Sequence, residues 1–496
     1  MKLYLFSFFL AAAANPLVIQ TSSGIVHGAV NESYPAVRHW LGVPFAQTPF
    51  GSLRFEPPQA LPANASSQHI QAQAFGPNCP QYEATAPSIY NKIRREYFIN
   101  GDNGDACLTV SIWAPAQPVN TSLPVLLWVY GGGDTTGGSS VPYQNPQAWV
   151  SRTQAHLVVS LQYRVNFFGS PNSPAQDGWL ALADVRAATE WVRDNIAVFG
   201  GDPDRMVLWG QSAGAGLAGS YSLAYRAEPI VKGFIQDSGA AYGVFSNYTD
   251  SQHANFTFLA EHFGCTDAAN ASACLGTVPQ ADIESLIQYW VDAGNEPALS
   301  FQYQFNNVTT FHNSTLAYLD GHYADLPKIL AHNLMDGSSL AALPDIPPYI
   351  TPPTPAAEEA KTLYVRCQVV GEAKTRQSLG LTSYRMMYSG NFSNISPLPW
   401  MGAYHSSELP MIMGTYADVG GEGTPFQHAT SRVMQDYYLA FAYDPENGVE
   451  RMGWPKYNGT LLMEFGRSDG EGEYPARVIP AAPIEDACIG WEGNLW

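Results

Sequence analysis

Met206-Val207-Leu208-Trp209-Gly210-Gln211-Ser212-Ala213-Gly214 decides how this chain is read. Its first four residues are apolar, as in a buried strand. Gly-x-Ser-x-Gly follows at once, and small residues suited to a helix start come after it. A serine placed on that turn sits on a sharp, strained backbone, and side chains two positions either side would collide with it. Alone, the pattern is weak. Behind a buried strand it marks Ser212 as a nucleophile.

The surrounding sequence supplies the context. Val18-Ile19-Gln20 and Gly24-Ile25-Val26-His27-Gly28 read as short strands about a Ser/Gly turn. Pro124 to Tyr130, His156 to Leu161, Gly233 to Gln236 and Lys328 to Ala331 read as further strands, the first two as continuous apolar runs of a sheet interior. Between Leu180 and Val198 the spacing is helical, with Ala187, Trp191, Val192 and Ile196 on one face. Strands alternating with helices predict an α/β fold with a largely parallel sheet, and the Ser212 elbow narrows this to the α/β-hydrolase arrangement. Catalytic groups are then expected beyond the carboxyl ends of the strands.

A serine hydroxyl needs a base, an acid to orient the base, and donors for the oxyanion. The strand ending at Tyr130 opens into Gly131-Gly132-Gly133, whose side-chain-free backbone can bring N–H groups to a carbonyl oxygen. The N–H of Ala213, next to the nucleophile, adds another donor. In this fold the triad runs serine, acid, histidine along the chain. Asp336 has a strand before it and Gly337 after it. Of the histidines beyond Ser212 (His253, His262, His312, His322, His332, His405 and His428), only His405 and His428 then remain. His405 lies in a small-residue loop, Gly402 to Pro410, and is the expected base. No metal or cofactor is called for.

Met1-Lys2, the apolar run from Leu3 and the Ala12-Ala13-Ala14 end read as a secretory signal peptide over residues 1–14, with 15–496 as a single domain. Asn-x-Ser/Thr acceptors recur at Asn31, Asn64, Asn120, Asn247, Asn255, Asn270, Asn307, Asn313, Asn391, Asn394 and Asn458, which predicts a glycosylated, extracellular protein. The six cysteines suit an oxidising compartment, and sequence spacing alone does not pair them. A net charge of −19 argues against nucleic acid as a partner. No later stretch is long and apolar enough for membrane insertion. The Pro-rich stretch from Pro344 to Pro355 reads as a loop within the domain.

The chain resembles the type-B carboxylesterases, which include fungal esterases and lipases and the animal cholinesterases. The motifs are Phe199-Gly200-Gly201-Asp202-Pro203 ahead of the Ser212 elbow, Asp105-Ala106-Cys107-Leu108-Thr109-Val110, Leu41 to Ala46, Leu53-Arg54-Phe55, Tyr163-Arg164-Val165 and Asp194-Asn195-Ile196. Tyr130 to Gly133 and Tyr404 to Pro410 look most like secreted fungal members. The resemblance implies Ser212 as nucleophile, His405 as base, and Gly132, Gly133 and Ala213 as oxyanion donors. It further implies Ser238 as a serine supporting the triad, and disulfides Cys79–Cys107, Cys265–Cys274 and Cys367–Cys488. Arg54 and Asp105 would form a structural ion pair.

Four departures stand out. Asp336 occupies a position usually held by Glu. Gln211 replaces the Glu that precedes the nucleophile in cholinesterases. Asp134 follows the glycines where an aromatic is commoner, either capping the turn or drawing a cation. The stretch from Asp336 to His405 is short, which reduces the rim over the site. The expected activity is hydrolysis of small carboxylic esters through an acyl-enzyme. A glyceride lipase is the alternative, but the segment from Cys79 to Cys107 offers little for a lid. Its Tyr82, Tyr90, Tyr97 and Phe98 read as ordinary core in preference to pocket wall. A tailoring esterase or lactonase fits the same residues. A silent binding relative would have lost the nucleophile, which is present.

Overall fold

The computed structural model describes residues 17–174, 178–242, 244–245, 253–301, 305–491 and 494–495. The segment read as a signal peptide and the acceptor Asn247 lie outside them. Among the described residues, an 11-stranded sheet organises the chain. Its strands are β1 (Ala29–Val30), β2 (Val37–Pro44), β3 (Thr109–Pro115), β4 (Leu123–Val129), β5 (Leu157–Leu161), β6 (Gly201–Gln211), β7 (Gly233–Asp237), β8 (Lys328–Asn333), β9 (Ser383–Tyr388), β10 (Leu461–Asp469) and β11 (Gly472–Pro480). In space the order is β11-β10-β9-β8-β7-β6-β4-β5-β3-β2-β1. From β5 across to β10 every neighbouring pair is parallel. The β1–β2, β2–β3, β3–β5 and β10–β11 pairs are antiparallel. This is the α/β-hydrolase fold.

Every residue of β4, β5 and β7 is buried, which is why β4 and β5 show near-continuous apolar runs and not alternation, while β7 ends on the buried polar pair Gln236 and Asp237. Strand β6 begins five residues before the apolar run suggests. Its polar lead-in, Gly201 to Arg205, passes a register shift against β4. Helix α1 (Leu180–Asn195) buries Trp191 and Val192 and continues into a short 3-10 turn that buries Ile196, while Ala187 is half-buried. Helix α2 (Ala213–Ala224) starts directly after Ser212.

Helix α3 (Pro355–Ser378) begins at the last residue of the Pro-rich loop. Thr354 caps it through its side chain, and Pro355 takes the first turn, where a missing N–H costs nothing. A fully buried Lys328–Glu372 ion pair of 2.8 Å ties β8 to α3, and Tyr318 and Ser222 also bond to it. Helix α4 (Pro425–Tyr443) covers the sheet near β10 and β11. The disulfides are Cys79–Cys107, Cys265–Cys274 and Cys367–Cys488, and Arg54 pairs with Asp105 at 3.0 Å. Among the described residues, no helix is long and apolar enough to cross a membrane.

Two of the glycan acceptors are corrected. Asn255 and Asn394 are buried, and their side-chain amides donate to Ser300 O and to Tyr416 O. An amide committed inside the protein cannot carry a glycan. Asn64, Asn120, Asn270, Asn307, Asn391 and Asn458 are exposed.

Candidate active site

The elbow forms because only glycine fits beside it. Ser212 takes φ 57° and ψ −125°, a strained conformation for a residue with a side chain. Its N–H donates to Asp237 O at 2.8 Å and its carbonyl accepts from Gly216 N at 3.0 Å, so strand and helix both hold it. A Cβ on Gly210 would land on Gly214 O, and one on Gly214 would land on the carbonyls of Val129 and Tyr130. The β6 turn therefore packs backbone to backbone against the end of β4.

That packing brings the glycine loop over the serine. A Cβ on Gly131 would come 2.8 Å from Ser212 Cβ. Gly132 and Gly133 have φ of 126° and 64° and are exposed to the cavity. Thr135 N and Thr136 N both donate to Gly132 O, turning the loop back on itself. Asn166 N donates to Asp134 O at 2.6 Å, and Gln81 exchanges two hydrogen bonds with Gly137. The N–H groups of Gly132, Gly133 and Ala213 have no backbone acceptor among the described residues. Three such donors beside a serine are the equipment of an oxyanion hole.

Asp336 and His405 come from loops 69 residues apart. Met335 forms a parallel bridge with Tyr404, and Asn333 Nδ2 donates to Tyr404 O at 2.7 Å. These contacts set the Asp336 carboxyl beside the His405 ring. Asp336 Oδ1 accepts from His405 Nδ1 at 2.7 Å, and Oδ2 accepts from Asn333 N at 2.9 Å. Both side chains are buried. Aspartate reaches the ring despite being shorter than glutamate because its loop is drawn in tightly. A Cβ on Gly337 would strike Glu358 O of α3.

His405 Nε2 lies 3.2 Å from the Gln211 side-chain amide nitrogen. With its Nδ1 held by the Asp336 carboxylate, the ring turns its other nitrogen, Nε2, towards Gln211. Ser212 and His405 face one cavity. Ser238 is buried beside it with φ 50°, and its Oγ hydrogen-bonds to none of Ser212, Asp336 and His405. Gly239 carries the closer packing, since a Cβ there would land on Ser212 O.

Some of the site was not read from sequence, or was read differently. Tyr90, Tyr97 and Phe98 line the cavity, and Tyr90 and Tyr97 pack against the main core as well, while Tyr82 packs against a separate apolar cluster. Tyr90 and Tyr97 also hold the histidine loop, donating to His405 O at 2.8 Å and to Ser406 O at 3.0 Å. Their burial raises both phenols above the ordinary value, so both remain donors. Disulfide Cys79–Cys107 closes the segment that carries them. The Asp134 carboxyl caps no turn: its Oδ1 is shut away from solvent without a hydrogen-bond partner, and burial pushes its pKa up to about 7. Glu408, three residues past the base, is buried against Asn333, and its pKa is raised by burial first and then by the nearby Asp237. A glutamate within the histidine loop was the available signal for it.

A parallel sheet that offers a serine elbow and a glycine loop to a buried histidine–carboxylate pair is the framework of an ester-cleaving α/β-hydrolase. The chain belongs to the carboxylesterase family, whose model matches residues 15–346. It is 38% identical over 496 residues to the chlorogenic acid esterase of Aspergillus niger, covering 95% of this chain and 94% of that protein. It is also 38% identical over 509 residues to secreted lipase 5 of Gibberella zeae, with 95% and 94% covered. Identity to the para-nitrobenzyl esterase of Bacillus subtilis is 26% over 508 residues, with 94% and 99% covered. The protein is a carboxylic-ester hydrolase.

Proposed function

We propose that Ser212, His405 and Asp336 form the catalytic triad and that the reaction passes through an acyl-enzyme. His405 Nε2 takes the Ser212 proton while Oγ attacks the ester carbonyl. The oxyanion is held by the N–H groups of Gly132, Gly133 and Ala213. The tetrahedral intermediate collapses, and His405 gives its proton to the departing alcohol. Water then attacks the acyl-enzyme with His405 again as base, which frees the acid and restores Ser212. Gln211 must release Nε2 as Ser212 engages it. The 2.7 Å bond between Asp336 and His405, in the cavity that holds the serine elbow, carries this reading.

The substrate is a small-molecule ester, and kinship with a chlorogenic acid esterase supports esters of that kind. Kinship with a secreted lipase supports export, with residues 1–14 removed as a signal peptide, 15–496 folding as one domain and glycans on the exposed acceptors. A lipase lid is disfavoured, because the Cys79–Cys107 segment is fastened to the histidine loop by Tyr90 and Tyr97. Ser212→Ala should lower kcat on p-nitrophenyl esters by about 10⁶ and abolish organophosphate labelling. Activity within tenfold of wild type would overturn the assignment. A chain-length series of the same esters should peak at short acyl groups.

A further inference from the structure

The glycine loop that carries the oxyanion donors closes on itself and is backed by one short stretch of chain. Gly132 O takes the N–H groups of Thr135 and Thr136, so the loop turns back at once. At its return, Gly137 has φ 119°, and a Cβ there would land on Gly131 O and on the Tyr130 ring. The end of the loop therefore rests on its beginning. Gly137 N–H and C=O have no backbone partner among the described residues, so the loop's own backbone does not hold this end.

Gln81 holds it. Its Nε2 donates to Gly137 O at 2.8 Å and to Cys79 O at 3.0 Å, and its Oε1 accepts from Gly137 N at 2.9 Å. A carboxamide turned over would set N–H against N–H and oxygen against oxygen, so only one orientation satisfies Gly137. The residue is 5% exposed, and its backbone carbonyl accepts from Asn103 Nδ2 at 2.7 Å. One position earlier, Pro80 O accepts from Asn166 Nδ2 at 2.9 Å, and the same amide donates to Thr135 O at 3.2 Å. Cys79 is bonded to Cys107, just ahead of β3. Cys79-Pro80-Gln81 is thus a platform, tied to the sheet, that meets the glycine loop at Gly137 directly and at Thr135 through Asn166.

We infer that Gln81 is a positioning residue for the oxyanion hole, its buried amide pairing with Gly137 so that Gly132 and Gly133 keep their N–H groups aimed at the reacting carbonyl oxygen. This rests on the triad and oxyanion reading above. Gln81 does not wall the Ser212 cavity, whereas Gly131, Gly132, Gly133 and Gly137 do, so it acts through the loop. Preset donors stabilise charge that exists only in the transition state. A loop freed at Gly137 loses that aim, while Tyr90, Tyr97, Phe98 and Leu340 still wall the cavity for the ground state. The effect therefore falls on kcat and spares KM. Misplacement by about 1 Å can cost on the order of 10²-fold.

The test uses Gln81→Met, which keeps the length of the side chain without its amide, and Gln81→Glu, which keeps an acceptor for Gly137 N but sets a carboxylate against two carbonyls. Kinetics on p-nitrophenyl butyrate are joined to inhibition by a trifluoromethyl alkyl ketone and by the alcohol made by reducing it. The ketone adds Ser212 Oγ to its carbonyl carbon and becomes an oxyanion that needs the hole, whereas the alcohol fills the same cavity without one. Gln81→Met should lower kcat by about tenfold to 10²-fold with KM within about twofold. Ketone affinity should fall by the same factor as kcat/KM, and alcohol affinity should hold. Gln81→Glu should move in the same direction and decides the matter if Gln81→Met does not fold. Thr189→Val, which removes a buried hydrogen bond inside α1, is the stability control and should lower Tm without touching kcat or either affinity. A folded Gln81 variant with wild-type kcat overturns the inference. So does a joint loss of ketone and alcohol affinity, which would make Gln81 a support of the cavity wall, or a control that loses kcat as the Gln81 variants do. Ser212→Ala separates this inference from the reading beneath it. If Ser212→Ala is inert while the Gln81 variants match wild type, the triad stands and Gln81 has no positioning role, whereas an active Ser212→Ala would sink the triad itself.

Discussion

Asp336 is where the residue-level chemistry is most exposed to test. Its two oxygens are both committed, one to His405 Nδ1 and one to Asn333 N. Asp336→Asn preserves size but offers an amide in place of a carboxylate, which favours the wrong tautomer of His405 and cannot stabilise its charged form. We expect kcat to fall by about 10⁴ with the fold retained. The neighbouring carboxylates Asp320, Asp325 and Asp345 are exposed and serve as controls. Should one of their asparagine variants lose activity while Asp336→Asn keeps it, the acid has been misassigned. The residue was legible because a strand precedes it and Gly337 follows. The reason for that glycine, the backbone of α3 lying where a Cβ would be, was not legible.

At the scale of elements, the histidine loop is held from two sides. The Met335–Tyr404 bridge aligns it with the end of β8, and the Cys79–Cys107 segment grips it through Tyr90 and Tyr97. Tyr97 also packs edge-on against Tyr90, Tyr143 and Tyr404. Tyr90→Phe keeps the ring in the cavity wall but frees the His405 carbonyl and one bond to Ser339. A lost hydrogen bond of this kind costs about 1 kcal/mol of stability. We expect kcat to drop several-fold at nearly constant KM, because the base is less well placed while the wall is intact. A change in KM alone would make Tyr90 a wall residue with no positioning role. Strand-plus-helix alternation revealed the sheet, but it could not show that a short aromatic segment closes on a loop more than 300 residues later, as the Tyr90–His405 and Tyr97–Ser406 bonds do.

Across the whole molecule, the protein is strongly acidic, with a net charge of −19, yet one buried histidine governs part of its response to acid. His156 lies against Trp149 at 4.3 Å, with Thr153 Oγ1 at 2.9 Å from Nδ1. Burial, and after it the nearby Arg152, lowers its pKa to about 3. The unfolded chain binds a proton there below about pH 6.5, whereas the folded protein does not until about pH 3. Stability tied to this group is therefore whole above pH 6.5 and is lost as pH falls towards 3, by on the order of 4 kcal/mol. His156→Gln cannot titrate, so its urea-unfolding free energy should fall less steeply than wild type between pH 7 and pH 4. Parallel curves would show that the site protonates without resistance in the fold.

What the sequence determined by itself was local and periodic. Buried runs in the strands, the helical face of α1, the elbow glycines and the acid–glycine pair are each written within a few residues, because backbone sterics and burial act over that range. These sufficed for the fold. The tertiary structure decided everything that depends on closure between distant segments. It set the Gln211 contact with His405, the double use of Tyr90 and Tyr97, and the burial of Asn255 and Asn394. It also left Asp134 Oδ1 buried without a partner. Whether a tyrosine lines a cavity, or a carboxylate caps a turn or is shut away from solvent, depends on which surface the rest of the chain lays against it, and local sequence carries no term for that.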